Sequence, residues 1–169
     1  MTELEFINTV KSLEDKMYRL AKSLLISSDE ASDAVQEVCA KMWTKKNQLS
    51  MIENKNGYFM RSLRNYCLDR LKSKQSQEAR YDDISFKTQA FSSEKQYEKK
   101  EAYNLILDIM KDLPEKARTI VQLRDIEGYE YDEIAEIMNM KENAIRTSLS
   151  RTRKLLKQAL LKKYEYGLQ

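Results

Sequence analysis

Arg146, Ser150, Arg153 and Lys157 recur at steps of four, three and four residues, with Ser148, Arg151 and Lys154 beside them. On a helix this spacing gathers cations and hydroxyls on one side. Their chemistry is non-covalent. Guanidinium and ammonium groups attract phosphates whatever the base sequence. Only the few side chains nearest a helix start can reach base edges in the major groove of DNA. From Lys141 to Lys163 a single carboxylate, Glu142, opposes the positive charge. A solvated surface helix that happens to be basic fits the same residues equally well.

Two other sets could bind. Asp33, Gln36 and Glu37 fall on one side of a predicted helix and make a carboxylate and amide face; ordinary polar surface is the alternative. Arg61, Arg64, Asn65 and Lys72 line one side of another predicted helix, which also carries Tyr58 and Tyr66. Cations interleaved with aromatic rings suit single-stranded nucleic acid, in which bases stack and phosphates meet positive charge. A basic surface backed by core aromatics fits these residues as well.

Covalent chemistry has little to work with. The chain has no histidine, no glycine-rich phosphate loop and no carboxylate cluster at metal spacing, so an enzyme is unsupported and no cofactor is expected. Cys39 and Cys67 are isolated and read as small buried apolar residues.

The elements that must position these residues follow from apolar periodicity. Tyr131, Ile134, Ala135 and Met138 give one face of a short helix, and Ile145, Leu149, Thr152, Leu156 and Ala159 give the next. Asn139 stands between them, where a left-handed turn residue is useful. Upstream, Leu4, Ile7, Val10, Leu13, Met17, Leu20 and Leu24 mark a long amphipathic helix. Ser27 and Ser28 followed by Asp29 and Glu30 mark the start of a second, running to about Lys45. Asn54, Asn56 and Gly57 close a predicted loop from Lys46, and a third helix begins near Tyr58. Ser73 to about Glu98 is rich in serine, glutamine and charge without a sustained period. It predicts a linker between two units that can move apart. Beyond it Ala102, Leu105, Ile106, Ile109 and Leu113 form a face, Pro114 falls in the first turn of a new helix, and Gly128 ends that helix.

Composition agrees with an all-α chain. Among 169 residues there are 3 glycines and 1 proline, and 34% are charged, which favours helices over a turn-rich sheet. The net charge is only +3, so a basic surface at one end must be offset by acidic surface elsewhere. No apolar run is long enough to span a bilayer, and the acidic, amphipathic N-terminus is unlike a signal peptide. A cytoplasmic protein without membrane insertion is expected.

Three stretches together resemble one family. DEASDAVQEVCAKMW and NGYFMRSLRNYCLDRLK resemble region two, and LPEKARTIVQLRDIEGYEYDEIAEIMNMKENAIRTSLSRTRKLL resembles region four, of bacterial sigma factors of the extracytoplasmic-function (ECF) type. The resemblance covers nearly the whole chain, in the family's order and with a polar linker between. It implies an all-α fold of two small domains: residues 1–73 as a region-2 helical bundle, 74–98 as linker, and 99–169 as a region-4 helix-turn-helix.

By the same resemblance Asp33, Gln36 and Glu37 match the helix that docks on core RNA polymerase. Asn54, Asn56, Tyr58, Arg61, Arg64, Asn65 and Lys72 match the part that holds the melted minus-10 strand, with the Lys46–Asn56 loop capturing a flipped base. Arg146, Ser148, Ser150, Arg151, Arg153 and Lys154 match the part that enters the major groove at the minus-35 element. Promoter DNA, core polymerase and an anti-sigma factor are the implied partners. The chain departs from the family pattern at Ser148 and Ser150, where larger or basic residues are common, at Lys141, where a capping hydroxyl is common, and at Asn139, where glycine is frequent. Without the resemblance, a stand-alone helix-turn-helix regulator and a protein-binding helical adaptor both stay open. The regulator predicts tight duplex binding alone at a two-fold symmetric site, and the adaptor predicts no DNA affinity.

Overall fold

The computed structural model describes residues 1–78 and 97–167, and the described residues include no strand. The first unit is a bundle of α1 (Glu3–Leu25), α2 (Ser28–Thr44), the short α3 (Lys46–Leu49) and α4 (Lys55–Glu78). Thr2 and Glu5 exchange hydrogen bonds that close the start of α1, and the Ser27 hydroxyl accepts from the Glu30 N–H at the start of α2. The buried stripe of α1 is Leu13, Met17, Leu20, Ala21 and Leu24. Leu4 and Ile7, expected in the same stripe, are exposed instead, because at this end of α1 it is Phe6 that turns inward, its ring against Trp43 and Phe59. Ala31, Ala34, Val35 and Val38 of α2, and Phe59, Met60, Leu63 and Cys67 of α4, complete this half of the core.

The structure moves two predicted boundaries. Within the predicted Lys46–Gly57 loop, Lys46–Leu49 is helical, and α4 starts at Lys55 rather than near Tyr58. Asn54, which reads as a loop residue, caps α4 by accepting from the Gly57 N–H at 2.8 Å. A side chain on Gly57 would meet the Asn54 side chain at 2.6 Å, so glycine is what allows that cap to close. At the other end α4 continues five residues past Ser73, since Lys74, Gln75, Gln77 and Glu78 are good helix formers and nothing in the stretch breaks a helix. The rest of the predicted linker, up to residue 96, lies outside the described residues.

The second unit comprises α5 (Tyr97–Met110), α6 (Glu115–Val121), a π-helical segment (Gln122–Ile126), α7 (Tyr131–Met138) and α8 (Glu142–Gly167). Pro114 occupies the cap of α6, with φ −54° and ψ 145°, one step outside the predicted first turn; its ring suits that extended angle and its missing N–H costs no helix bond there. The helix does not run uniformly to Gly128. It widens after Val121, and the Glu127 N–H reaches back five residues to the Gln122 carbonyl at 3.0 Å. Gly128 then takes φ +76° and turns the chain into α7. Asn139 adopts the left-handed conformation expected of it, with φ 52° and ψ 50°. Ile134, Ile137 and Met138 of α7 pack against Ile145, Leu149 and Thr152 of α8.

The two units are closed on each other. Helix α7 lies on α4, α6 lies on α1, and the buried apolar residues of both units form one continuous cluster. Among the described residues, three hydrogen-bonded side-chain pairs cross the seam. Arg19 of α1 donates from Nε and Nη2 to both Glu127 oxygens at 2.8 Å, and the Glu127 side chain is almost wholly buried. Arg64 of α4 donates to Glu115 at 2.6 Å, and Asn54 donates to Glu136 at 2.7 Å. The polar part of the seam is incompletely satisfied: Arg64 Nε, Arg118 Nε, Tyr103 Oη and Gln122 Oε1 are buried without a partner among the described residues.

Candidate nucleic-acid interface

The buried stripe of α8 fixes what the helix shows to solvent. With Ile145, Leu149 and Thr152 inward, the outward crest carries Asn143, Thr147, Ser150, Arg151 and Lys154, all exposed. Arg146 and Arg153 lie on one flank of that crest, and the half-buried Ser148 lies on the other. The predicted set therefore divides. Arg151, Ser150 and Lys154 face straight out. Ser148 and Arg151 also border a groove between α6 and α8 lined by Pro114, Ala117 and Leu155. Asn143 and Thr147 were missed in the sequence. Projecting the helix away from Ile145 and Leu149 would have found both, because they sit opposite that pair in the first turns.

The flanking arginines are braced. Arg153 donates from Nε to Asp125 at 3.0 Å and from Nη2 to the other Asp125 oxygen. Hydrogen bonding to Asp125 holds its guanidinium above the ordinary arginine range, so it stays charged. Arg146 lies over the Tyr131 ring, its Cζ 3.7 Å from the ring centre, with Glu142 a further 3.7 Å contact. Tyr131, predicted as part of the apolar face of α7, is half-buried; it packs against the edge of the core and also carries two arginines on its ring.

On α4 the rotation per residue separates the predicted residues. Arg61, Asn65 and Lys72 share an exposed face, and half-buried Tyr58 borders it. Arg64 is turned about 60° away, at ~100° per residue, and is buried in the seam against Glu115. Asn56 is exposed at the start of α4, whereas Asn54 is occupied by Glu136 and by its capping bond. The ring of Tyr66 is covered by Lys41 at 4.8 Å. In this closed arrangement Arg64 and Asn54 are not brought together with Arg61 and Asn65.

Asp33, Gln36 and Glu37 lie together on an exposed face of α2, opposite Ala31, Ala34, Val35 and Val38. Glu37 has one partner, Lys41 one turn on, at 3.5 Å in open solvent, an interaction of little strength. The face is thus a solvated carboxylate surface free to meet a basic one. Among the described residues no group of three or more acidic, cysteine or histidine side chains could hold a metal, and no helix is long and apolar enough to cross a membrane.

Comparison with known proteins matches the same two units. The family model described as Sigma-70 region 2 matches residues 9–77, and that described as Sigma-70, region 4 matches residues 103–156. The RNA polymerase sigma factor SigV of Bacillus subtilis (strain 168) is 27% identical over 161 residues, covering 95% of this chain and 94% of that protein. The ECF RNA polymerase sigma factor SigW of the same organism is 24% identical over 165 residues, covering 92% and 88%. The fold is similar to that of the sigma factor RpoE from Bartonella quintana, solved in complex with the anti-sigma factor NepR, at TM-score 0.79, 20% identity, and coverage of 92% of this chain and 96% of that one.

Proposed function

This chain belongs to the sigma-70 family, as an ECF-type sigma factor with a role in transcription initiation, and from that premise we propose how its surfaces divide the work. The chain is a promoter-specificity subunit with no catalytic residues of its own. It works in the cytoplasm, where chromosome and polymerase meet. Residues 1–73 act as the polymerase- and minus-10-binding domain, and residues 99–169 act as the minus-35-binding domain.

Asp33, Gln36 and Glu37 dock on core RNA polymerase, where an exposed carboxylate face gives a specific but reversible contact with a basic partner. Arg61, Asn65, Lys72, Asn56 and Tyr58 hold the melted minus-10 strand. Arg64 and Asn54 join them once Glu115 and Glu136 let go. The crest of α8, with Arg151, Lys154 and Ser150 at its centre and Arg146, Arg153 and Ser148 at its flanks, enters the major groove at the minus-35 element. Each contact is modest. Tight promoter binding therefore requires polymerase to hold both units at once, which raises the effective concentration of the second site after the first engages. An anti-sigma factor is the expected antagonist, because the structurally similar Bartonella protein was solved with one.

The observation that carries this proposal is the pairing, on one chain, of both sigma regions with an exposed acidic face on α2 and an exposed basic crest on α8. Run-off transcription with purified core polymerase on genomic fragments tests it. The expected result is a set of discrete start sites that appear only with the protein. A transcript pattern unchanged by its addition would overturn the assignment.

A further inference from the structure

Helix α7 fills the core with Ile134, Ile137 and Met138, while Tyr131, in its first turn, is half-buried at the edge of that core with part of its ring left for other contacts. Its ring instead collects guanidinium groups. Arg124 lies over it with Cζ 4.6 Å from the ring centre, and Arg146 lies over it at 3.7 Å. Arg124 is itself pinned: it donates to the Tyr129 carbonyl at 2.7 Å and to the Glu130 carboxylate at 2.9 Å. It therefore fixes the ring. The Arg146 side chain is about half exposed, and its carboxylate neighbour Glu142 stands at 3.7 Å, beyond hydrogen-bond range. The ring face and a loose ion pair with Glu142 thus both restrain Arg146. A long arginine on a helix surface samples many rotamers, and one held in place before its target arrives loses less entropy on binding.

We propose that Tyr131 is a positioning residue for DNA recognition: its ring, braced by Arg124, holds the Arg146 guanidinium at the edge of the α8 crest so that it meets the upstream duplex in one orientation. This role rests on the assignment of Arg146 to minus-35 DNA above. It differs from that of Asp125, which braces Arg153 by charge; a ring face orients a guanidinium without neutralising it.

The test uses holoenzyme reconstituted from the full chain and core polymerase, with a labelled promoter duplex whose start site run-off transcription has mapped. Affinity is measured for this duplex and for versions changed one base pair at a time across the upstream element. Tyr131→Phe and Tyr131→Trp keep a ring face and are expected to bind like the wild type. Tyr131→Leu should bind about three- to five-fold more weakly, the size of one exposed cation–π contact. Its loss should fall on the same base pairs to which Arg146→Ala becomes indifferent, and adding Arg146→Ala should weaken it no further than Arg146→Ala alone. A purely structural role would instead lower binding evenly at every position. Wild-type binding by Tyr131→Leu, losses that add in full, or a Phe variant as weak as Leu would each overturn the proposal. If Arg146→Ala itself binds normally, the assignment of Arg146 to DNA fails and the role of Tyr131 goes with it. If Arg146→Ala is weak and Tyr131→Leu is normal, only the Tyr131 proposal fails. Circular dichroism checks each fold. Should the Leu variant not fold, a drop in binding by a folded Tyr131→Trp protein would still count against the proposal.

Discussion

Asp33 and Glu37 stand clear of the core on α2, so reversing their charge should leave the bundle intact. Asp33→Lys with Glu37→Lys is expected to abolish capture of core polymerase while the circular dichroism spectrum stays unchanged; normal capture would remove the docking role from this face. Cys67 makes a different prediction. Burial among apolar side chains pushes its thiol up to about 12, from an ordinary value of 9.0. Between those values the folded chain keeps a proton that the unfolded chain has lost. Stability should therefore be full below about pH 9 and fall as pH rises toward 12. Denaturant melts across that range should show a shallower decline for Cys67→Ala than for the wild type, and equal slopes would contradict the burial argument. Side-chain types and spacing were legible from the sequence; surroundings were not. Arg61 and Arg64 look alike as letters three apart. The second unit packs over the face that carries Arg64, where Glu115 pairs it, and leaves Arg61 in solvent.

Helix α8 carries its prediction as a whole element. If its crest lies along phosphates, Arg151→Ala and Lys154→Ala should each lower the salt slope of upstream duplex binding by about one, with little change in base preference. Slopes equal to the wild type, measured by filter binding of holoenzyme at graded salt, would detach the crest from the DNA backbone. Periodicity gave α8 and its buried stripe correctly, because Ile145, Leu149 and Thr152 repeat strongly. It misplaced the start of α4, because Asn54 works equally well as a loop residue and as a helix cap. The π-helical segment left no mark in the sequence. Widening a helix by one residue depends on which backbone bonds its surroundings favour, and Gln122–Ile126 has no glycine or proline to announce it.

At the scale of the whole molecule the seam decides what each unit can reach. It joins unlike groups across the two units, and two of the hydrogen-bonded pairs described above use side chains proposed to hold the minus-10 strand. Glu115→Gln with Glu136→Gln removes the charge that holds Arg64 and weakens the hold on Asn54, while keeping side-chain size. The double variant is expected to bind a single-stranded minus-10 oligonucleotide several-fold more tightly than the wild type in the absence of polymerase, and small-angle scattering should show a larger radius. Unchanged strand affinity and radius would mean that the carboxylates do not govern access. The division into two helical units and their order could be read from the chain. Their closure could not, since it depends on contacts such as Arg19 with Glu127 that lie far apart in sequence and follow no period. Glu127 follows directly on a stretch that holds one residue more than an ordinary helical turn, and that extra residue sets the direction in which its carboxylate points. Deleting any single residue between Gln122 and Ile126 would let the turn tighten and swing the carboxylate about 100° around the axis, away from its partner. A one-codon loss there would leave every side chain of the latch in place as a list of letters, and put it out of phase as a lock.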